Sequence, residues 1–146
     1  MTQQDTIYDS PTDWVRKHIH SYIETDGRSG HEWKGAPTLL LVTRGRKSGK
    51  LRRTALIYGD DGDRYVIVAS HGGNAKHPTW YLNLIADPVV EVQINEEKFS
   101  AMAQVASAEE KARLWPMMTA IWPAYDDYQA RTQRNIPVIV LTRKSE

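Results

Sequence analysis

The chain has 146 residues, no cysteine, and 19 Lys and Arg against 18 Asp and Glu, which gives a formal net charge of +1. This length predicts one domain over residues 1–146, and the lack of cysteine excludes disulfides and thiolate chemistry. The balanced charge argues against a generally basic nucleic-acid-binding protein. Residues 1–13 are polar and no apolar run has the length of a bilayer span, so we expect a cytoplasmic protein.

Helical and strand patterns follow one another along the chain, after a polar segment over residues 1–11 that we expect to be flexible. In chain order, the patterns predict a helix over 12–26, strands over 38–42, 56–58 and 65–69, a helix over 77–86, strands over 90–94 and 99–105, helices over 107–121 and 124–133, and a strand over 137–141. Turn residues between 58 and 65 and between 94 and 99 predict two hairpins. Because hairpins dominate, we predict an α+β fold, mainly β, whose mostly antiparallel sheet curls into a barrel flanked by helices.

The segment 44–53 is the most basic part of the chain. Six of its ten residues are Lys or Arg, and no acidic residue occurs between Glu32 and Asp60. Its glycines expose backbone N–H groups and Ser48 adds a hydroxyl, so this loop between two strands suits a ligand with several negative charges. One alternative is a solvated hairpin tip that prevents sheet edges of two molecules from associating. The other is a loop that binds the phosphates of a nucleic acid.

Side chains that suit catalysis lie in two other places. Ser70 follows a predicted strand and enters a Gly-Gly loop, where the alternative is a hydroxyl that satisfies the local backbone. Tyr125 and Tyr128 share a helix face near Trp122, and a phenol can donate a proton or a hydrogen bond. The alternative for these rings is core packing. The five histidines have no metal-binding spacing, so no metal site is predicted.

Three longer motifs occur in a fixed order, namely Leu39–Thr43 leading into Gly45–Gly49, then Pro78–Leu84, then Pro123–Tyr128. In this order and at these separations they resemble the deazaflavin-dependent nitroreductase family of actinobacteria, whose members use coenzyme F420. The resemblance extends from about Trp14 to Leu141 and implies a split β-barrel similar to the FMN-binding barrels. The chain differs from the common pattern at Ala55, His71 and Trp122, where many members have proline, lysine and tyrosine.

The resemblance also implies a role for each part of these motifs. The coenzyme phosphate would be held by Arg46, Lys47 and Ser48. The tail and the ring edge would run along Arg52, Arg53, Thr54, Ala55, Leu56 and Ile57. The deazaflavin ring would contact Val68, Ala69, Ser70 and His71 on one side, and Thr79, Trp80, Tyr81 and Asn83 on the other. The substrate would bind against Trp122, Tyr125 and Tyr128, with Tyr125 also next to the coenzyme.

The predicted function is therefore an F420H2-dependent reductase, an oxidoreductase that transfers a hydride to a flat, electron-poor acceptor. The expected acceptors are a quinone, a nitroaromatic, an enone or an unsaturated lactone. Ser70, Tyr128 and Tyr125 are the predicted catalytic residues, because they can polarise the acceptor or relay a proton. The expected partner is a small molecule and not nucleic acid.

Three alternatives stay open at this point. A related barrel would bind FMN or a tetrapyrrole, and a non-catalytic module would bind a polyanion through the basic segment. The first helix has an apolar face opposite cationic side chains, which is also typical of weak peripheral contact with the inner face of a membrane; the face contains Trp14, Val15, Ile19 and Ile23. The other interpretation of that helix is that it packs on the barrel.

Overall fold

The computed structural model describes residues 6–144. Its strands are β1 Ile7–Asp9, β2 Glu32–Trp33, β3 Ala36–Arg44, β4 Leu51–Ile57, β5 Gly59–Asp61, β6 Arg64–Val68, β7 Val89–Ile94, β8 Glu97–Val105 and β9 Val138–Arg143. Its helices are α1 Asp13–Glu24, α2 Thr79–Ala86, α3 Ala108–Ile121 and α4 Ala124–Arg131, and a short 3-10 helix covers His71–Gly73. Each α-helix begins and ends within two residues of its predicted bounds.

All nine strands belong to one sheet, in the order β1-β4-β3-β7-β8-β9-β6-β5, with β2 paired to the start of β3. Over residues 6–144, every strand pair is antiparallel except β1 with β4. Helix α1 packs on β4, α2 on β3, and α3 on β5, β6 and β9. The sheet is thus mostly antiparallel and flanked by helices, as the sequence predicts.

Strand β3 is buried on both faces, which explains its continuous run of apolar residues. Leu39 and Leu41 face the main core inside the sheet, whereas Leu40 faces the opposite way and packs with Ile19 and Tyr22 of α1. A third cluster joins α3 and α4 to the outer face of β6 and β9, and contains Val66, Val68, Leu114, Met118, Tyr125, Ile136, Val138 and Val140. This cluster holds α4 near the end of β6, where the candidate site lies.

The hydroxyl of Tyr22 ties α1 to two strands. It accepts a hydrogen bond of 2.8 Å from the Asn95 N–H, and the carbonyls of Thr38 and Gln93 lie 3.1 and 3.4 Å away as acceptors for its proton. The side chain is fully buried, and this burial raises the pKa of Tyr22. The contacts fix α1 against β3 and against the turn that follows β7.

The apolar face of α1 is therefore already covered by the sheet. Ile19 and Tyr22 are fully buried, and Val15 and Ile23 pack beside them. The predicted membrane contact through this face finds no support, because Val15, Ile19 and Ile23 belong to one of the protein's own hydrophobic clusters. In the part of the chain that the structure describes, no helix combines the length and apolar character that a bilayer crossing requires.

The second predicted hairpin is confirmed, whereas the first forms across its predicted turn but with a different first strand. Strands β7 and β8 form the second hairpin, with Asn95 at a positive φ of 56° in its turn. In the first, the acidic turn joins β5 to β6, whereas the residues up to Ile57 belong to β4 and pair with β3. After Tyr58 the chain enters β5, whose Gly59 fits closely against α3, where an added Cβ would lie 2.8 Å from the Met118 sulfur.

Within the segment 1–11, for which flexibility stays a prediction, residues 7–9 form strand β1, and residues 1–5 lie outside the described part. Strand β1 pairs in parallel with the start of β4, and the Asp9 carboxylate lies 2.5 Å from the Arg53 guanidinium. The Tyr8 ring lies under the cations of Lys50 and Arg52, at 5.2 and 5.4 Å. This ion pair and these ring contacts give a short, polar segment an ordered place at the sheet edge.

Candidate active site

A cleft with a volume of about 260 Å³ lies between α1, β4 and α4. It is lined by Trp14, His18, Trp33, Thr38, Ala55, Leu56, Ile57, Val68, Ser70, Gly72, Trp122, Tyr125 and Tyr128. Eight of these residues are predicted site residues, namely Ala55, Leu56, Ile57, Val68, Ser70, Trp122, Tyr125 and Tyr128. The fold thus brings the end of β4, the end of β6 and the α4 aromatics to one place.

Aromatic rings form the walls of the cleft. Trp14 stacks on Trp33 with ring centroids 5.7 Å apart, and Trp33 lies 5.1 Å from Trp122. The Trp122 indole N–H is 3.4 Å from the Tyr128 hydroxyl, and Tyr128 meets Tyr125 edge to face at 6.1 Å. Flat, apolar walls with a few polar groups are typical of a pocket for a flat organic ligand.

Ser70 lies where the chain leaves β6 and starts the loop that leads to α2. Its carbonyl accepts a hydrogen bond of 2.9 Å from the Gly73 N–H. Within residues 6–144, its hydroxyl has no hydrogen-bond partner, although the side chain lines the cleft. The alternative interpretation, a hydroxyl that satisfies the local backbone, therefore finds no support, and the group is available to a ligand.

The two tyrosines of α4 differ in their surroundings. Tyr125 is only 4% exposed, and burial, followed by the proximity of Tyr128, raises its pKa far above the usual value. Its phenol therefore stays protonated and acts as a hydrogen-bond donor over the whole physiological range. Tyr128 is half-buried, and its ring also contacts the Arg131 guanidinium at 5.7 Å.

The cleft also contains residues that sequence reasoning did not assign to a site. His18 follows Trp14 by one helical turn, so both side chains point to the same side of α1. The His18 Nε2 lies 3.5 Å from the Thr38 hydroxyl, whose own proton goes to the Gly30 and His31 carbonyls. The only sequence signal that could have assigned His18 to the site is its i, i+4 spacing from Trp14. Nothing in the local sequence shows that α1 borders the cleft.

The basic segment forms the turn between β3 and β4. The Gly45 N–H donates to the Lys50 carbonyl at 2.7 Å, and the Lys50 N–H donates to the Ser48 hydroxyl oxygen at 3.1 Å. A Cβ at Gly45 would lie 2.8 Å from that oxygen, so the turn closes tightly only with glycine there. In the described chain, Arg46 and Lys47 form no ion pair, and both are exposed. The turn therefore presents two uncompensated cations and the Ser48 hydroxyl proton to solvent.

Asn83, a predicted coenzyme contact, supports this turn from behind. It is 3% exposed, and its side-chain oxygen accepts a hydrogen bond of 3.1 Å from the Arg46 N–H. Its amide group donates to the Thr43 hydroxyl at 3.3 Å. Nearby on α2, Trp80 and Tyr81 pack against the main core, and Thr79 is exposed. Direct coenzyme binding by these four residues stays a prediction.

The remaining predicted residues lie between the turn and the cleft or at its border. Arg53 is neutralised by Asp9, and Arg52 lies against Tyr8, so neither cation is as free as those of the turn. Thr54 is half-buried, Ala69 is fully buried, and His71 is exposed with its ring Nδ1 3.0 Å from the Lys76 carbonyl. The structure does not place these five side chains in the cleft lining.

The turn and the cleft lie at opposite ends of β4. From Lys50 to Ala55 the strand advances by about 17 Å at the usual rise per residue. A ligand that contacts both places must be long, with a flat, apolar end and an anionic end. The residues present therefore fit a coenzyme with an aromatic ring system and a phosphate-bearing tail.

Comparisons with known proteins agree with this geometry. The family model described as "F420H(2)-dependent quinone reductase" matches residues 14–143. An F420H(2)-dependent quinone reductase of Mycobacterium tuberculosis is 44% identical over 134 residues, which cover 89% of this chain and 90% of the relative. The chain belongs to the F420H(2)-dependent quinone reductase family. The F420-dependent oxidoreductase class predicted from the sequence is thereby confirmed.

Solved structures support the same assignment. An F420-H2 dependent reductase is 38% identical and superposes with a TM-score of 0.67 over 72% of this chain and 93% of its own. A structure described as a domain-swapped dimer is 37% identical, with a TM-score of 0.70 over 90% and 99% of the two chains. A haem storage protein from Vibrio cholerae, 16% identical with a TM-score of 0.59 over 75% and 82%, shares the fold alone. The predicted split-barrel fold is confirmed.

Proposed function

We propose that this family member binds F420H2 and reduces a small, flat, electron-poor molecule in the cleft. The single observation that carries the proposal is the pairing of an aromatic cleft with an uncompensated cationic turn at the two ends of β4. FMN has a shorter anionic tail than F420, so the length of this arrangement favours the deazaflavin. When bound, the reduced deazaflavin supplies the hydride, and the protein supplies binding, orientation and shielding from water.

The turn would hold the phosphate end of the coenzyme. Arg46 offers two parallel N–H donors, Lys47 a mobile positive charge, and Ser48 a hydroxyl whose oxygen is already oriented by the Lys50 N–H. Asn83 fixes the Arg46 backbone from the buried side, so the turn is ordered before an anion arrives. Pre-ordering lowers the entropy that binding must overcome.

The aromatic end of the cleft would orient the ring system and the acceptor. Ala55, Leu56, Ile57 and Val68 give a smooth apolar floor, and Trp122 and Tyr128 give walls for a second flat molecule. The Ser70 hydroxyl and the Tyr125 and Tyr128 phenols would donate hydrogen bonds to acceptor oxygens on which negative charge develops. Quinones fit these donors, as do the nitroaromatics, enones and unsaturated lactones predicted from the sequence.

The test is direct binding of the two flavin types. We expect fluorescence titration to show tighter binding of F420 than of FMN, because F420 alone reaches the cationic turn while its ring lies in the cleft. The double variant Arg46→Ala/Lys47→Ala should weaken F420 binding by about 100-fold or more, since each of the two lost charge-assisted hydrogen bonds contributes about 1.5–3 kcal/mol. F420 binding by the double variant should also weaken less than that of the wild type as the salt concentration rises.

The matched control is Lys98→Ala/Lys144→Ala, which removes two exposed cations that lie away from the turn. This control should leave the F420 affinity unchanged. Preferential FMN binding, or equal loss in the test and control variants, contradicts the proposed function.

A further inference from the structure

The guanidinium of Arg134 holds the loop that contains Ser70. Arg134 lies between α4 and β9, outside every motif that the sequence analysis singled out. Its Nη2 donates to the Ser70 carbonyl at 2.6 Å, its Nη1 to the Ala69 carbonyl at 3.0 Å, and its Nε to the Asn74 carbonyl at 3.1 Å. Nη1 also lies 3.0 Å from the His77 Nδ1.

These partners are unusual for an arginine because none of them is charged. Among the described residues, no carboxylate forms an ion pair with Arg134. The side chain is half-buried, and burial lowers its pKa. Such a cation pays a desolvation cost that only well-placed acceptors offset, and here the three backbone carbonyls of one loop supply them.

The backbone of Arg134 is itself held by α4. The Gln129 side chain donates to the Arg134 carbonyl at 2.7 Å and accepts from the Ile136 N–H at 3.0 Å. The Arg134 N–H donates to the Thr132 hydroxyl oxygen at 3.1 Å. The position of the guanidinium is thus set from the helix that carries the cleft tyrosines.

A second contact brings the same loop against the same helix. Gly73 is buried, and a Cβ there would lie 2.7 Å from the Tyr128 carbonyl oxygen. The loop therefore touches α4 at Tyr128 and is tied to the segment after α4 by Arg134. Ser70 belongs to this loop. Its carbonyl accepts a hydrogen bond from Arg134, and its side chain lines the cleft.

We propose that Arg134 is a positioning residue, which sets the Ser70 hydroxyl at a fixed distance from the Tyr125 and Tyr128 face of the cleft. It does not line the cleft and acts through the Ser70 carbonyl. The part of this inference that concerns turnover rests on the proposed function, whereas the part that concerns the loop does not.

The test compares Arg134→Ala, Arg134→Lys and the control Arg113→Ala, which removes an exposed cation paired with Asp61. Arg134→Ala should lower kcat by about 10- to 100-fold, because small misplacements of a reacting group have effects of that size. F420 affinity, set by the β3–β4 turn, should change less than threefold. Arg134→Lys should recover little, because one ammonium group cannot reach three diverging carbonyls.

Two further measurements separate positioning from general destabilisation. Added methylguanidinium, below the concentration that unfolds the protein, should restore part of the activity of Arg134→Ala, but not of Ser70→Ala. The double variant Arg134→Ala/Ser70→Ala should be no slower than the slower single variant, since both act through one hydroxyl. Additive losses, or full activity in Arg134→Lys, overturn the proposal.

Hydrogen exchange provides a readout that does not require turnover. Amides of residues 70–76 should exchange faster in Arg134→Lys and Arg134→Ala than in wild type or Arg113→Ala, and methylguanidinium should restore protection in Arg134→Ala. Unchanged protection in both variants overturns the inference even if the enzyme is active. If the Arg134 variants lose protection but the wild-type protein binds no F420, the proposed function is contradicted, whereas the inference about the Arg134 contact stands.

Discussion

At the scale of single residues, three hydroxyl groups meet in the cleft and differ in their existing partners. The Ser70 hydroxyl has none within residues 6–144, the Tyr128 hydroxyl lies 3.4 Å from the Trp122 indole N–H, and Tyr125 is almost completely buried. The donors most available to an acceptor are therefore Ser70 and Tyr128. Tyr125 is the least accessible of the three donors.

This difference predicts a split between turnover and binding. Ser70→Ala and Tyr128→Phe should each lower kcat by about 10- to 100-fold, because each removes one donor to the developing charge. The F420 dissociation constant should change less than threefold. The control is Ser100→Ala, which removes a hydroxyl bonded to Glu91 on the exposed part of β8. Unchanged kcat in both test variants would contradict the assigned roles.

His77 gives a pH dependence at the same scale. Its Nδ1 faces the Arg134 guanidinium and its ring stacks on Tyr81 at 4.5 Å; burial, followed by the charge of Arg134, lowers the pKa of His77. The unfolded chain then binds a proton more readily than the folded one, so stability is retained above about pH 6.5 and decreases as the pH falls below it.

We expect His77→Gln to flatten the dependence of the free energy of unfolding on pH between about 7.5 and 5. Urea titrations across that range measure it. A wild-type slope in His77→Gln would show that this imidazole does not titrate differently in the folded state.

At the scale of elements, two tight contacts place the parts of the site. The 3-10 helix meets α4 at Gly73 with no room for a side chain, and α2 supports the β3–β4 turn through Asn83. In both cases the element that carries a functional group is held by a different element. Substitutions at these contacts therefore affect the site from outside it.

Gly72 and Gly73 form a matched pair for the first contact. Both have a positive φ, 61° and 79°, but a Cβ at Gly72 meets nothing within 4 Å, whereas one at Gly73 meets the Tyr128 backbone. Gly72→Ala should lower the free energy of unfolding by about 1–2 kcal/mol through backbone strain alone. Gly73→Ala should lower it clearly more, because α4 must also move. Equal losses in urea titrations would show that the close approach has no energetic consequence.

Asn83→Ala tests the second contact. Loss of its amide leaves the Arg46 N–H and the Thr43 hydroxyl without their partner, so stability should fall by about 1–3 kcal/mol. F420 affinity should fall with it, since the turn loses its order, while binding of a flat acceptor in the cleft should persist. Asn135→Ala, which removes an exposed acceptor of Lys111, is the control. Unaltered F420 affinity would show that the turn orders itself.

At the scale of the whole molecule, the sequence predicts what local patterns determine. The helix predicted to start at residue 107 does so, with Ser107 capping α3 through the Glu110 N–H, and the second hairpin follows from alternation and a turn. Strands β1 and β2 have only three and two residues, which is too short to show an alternating pattern of apolar and polar residues. They are strands because they pair with β4 and β3.

The residues of the candidate site also differ in whether a local sequence pattern predicts them. Ser70, Tyr125 and Tyr128 are marked by motif and residue type, and the fold brings them together. Trp33 and Arg134 carry no local signal, and His18 carries only its spacing from Trp14, because the roles of these residues depend on contacts with segments far away in the sequence. Sequence reasoning therefore finds the groups that face a ligand more readily than the groups that hold them in place.

The edge strand β1 allows a test at this scale. The Asp9 carboxylate is 14% exposed and lies against Arg53. Asp9→Asn should lower the free energy of unfolding by about 1 kcal/mol or more, since it leaves a half-buried cation without its partner. The amides at the start of β4 should also exchange faster. The exposed Asp63→Asn should change neither quantity. No loss in Asp9→Asn would show that β1 is held by its backbone pairing alone.

The buried hydroxyl of Tyr22 has a consequence for the order in which the protein assembles. Its partners at Gln93 and Asn95 lie 71 and 73 residues further along the chain. During synthesis α1 leaves the ribosome long before β7 exists, so the Tyr22 hydroxyl at first lacks its Gln93 and Asn95 partners, whereas Leu40 and Ala55, which pack on the apolar face of α1, follow the helix closely in the chain. The last contacts of α1 therefore form late in folding, and a ribosome-bound nascent chain that stops before residue 89 should protect this helix less well from hydrogen exchange than the complete chain does.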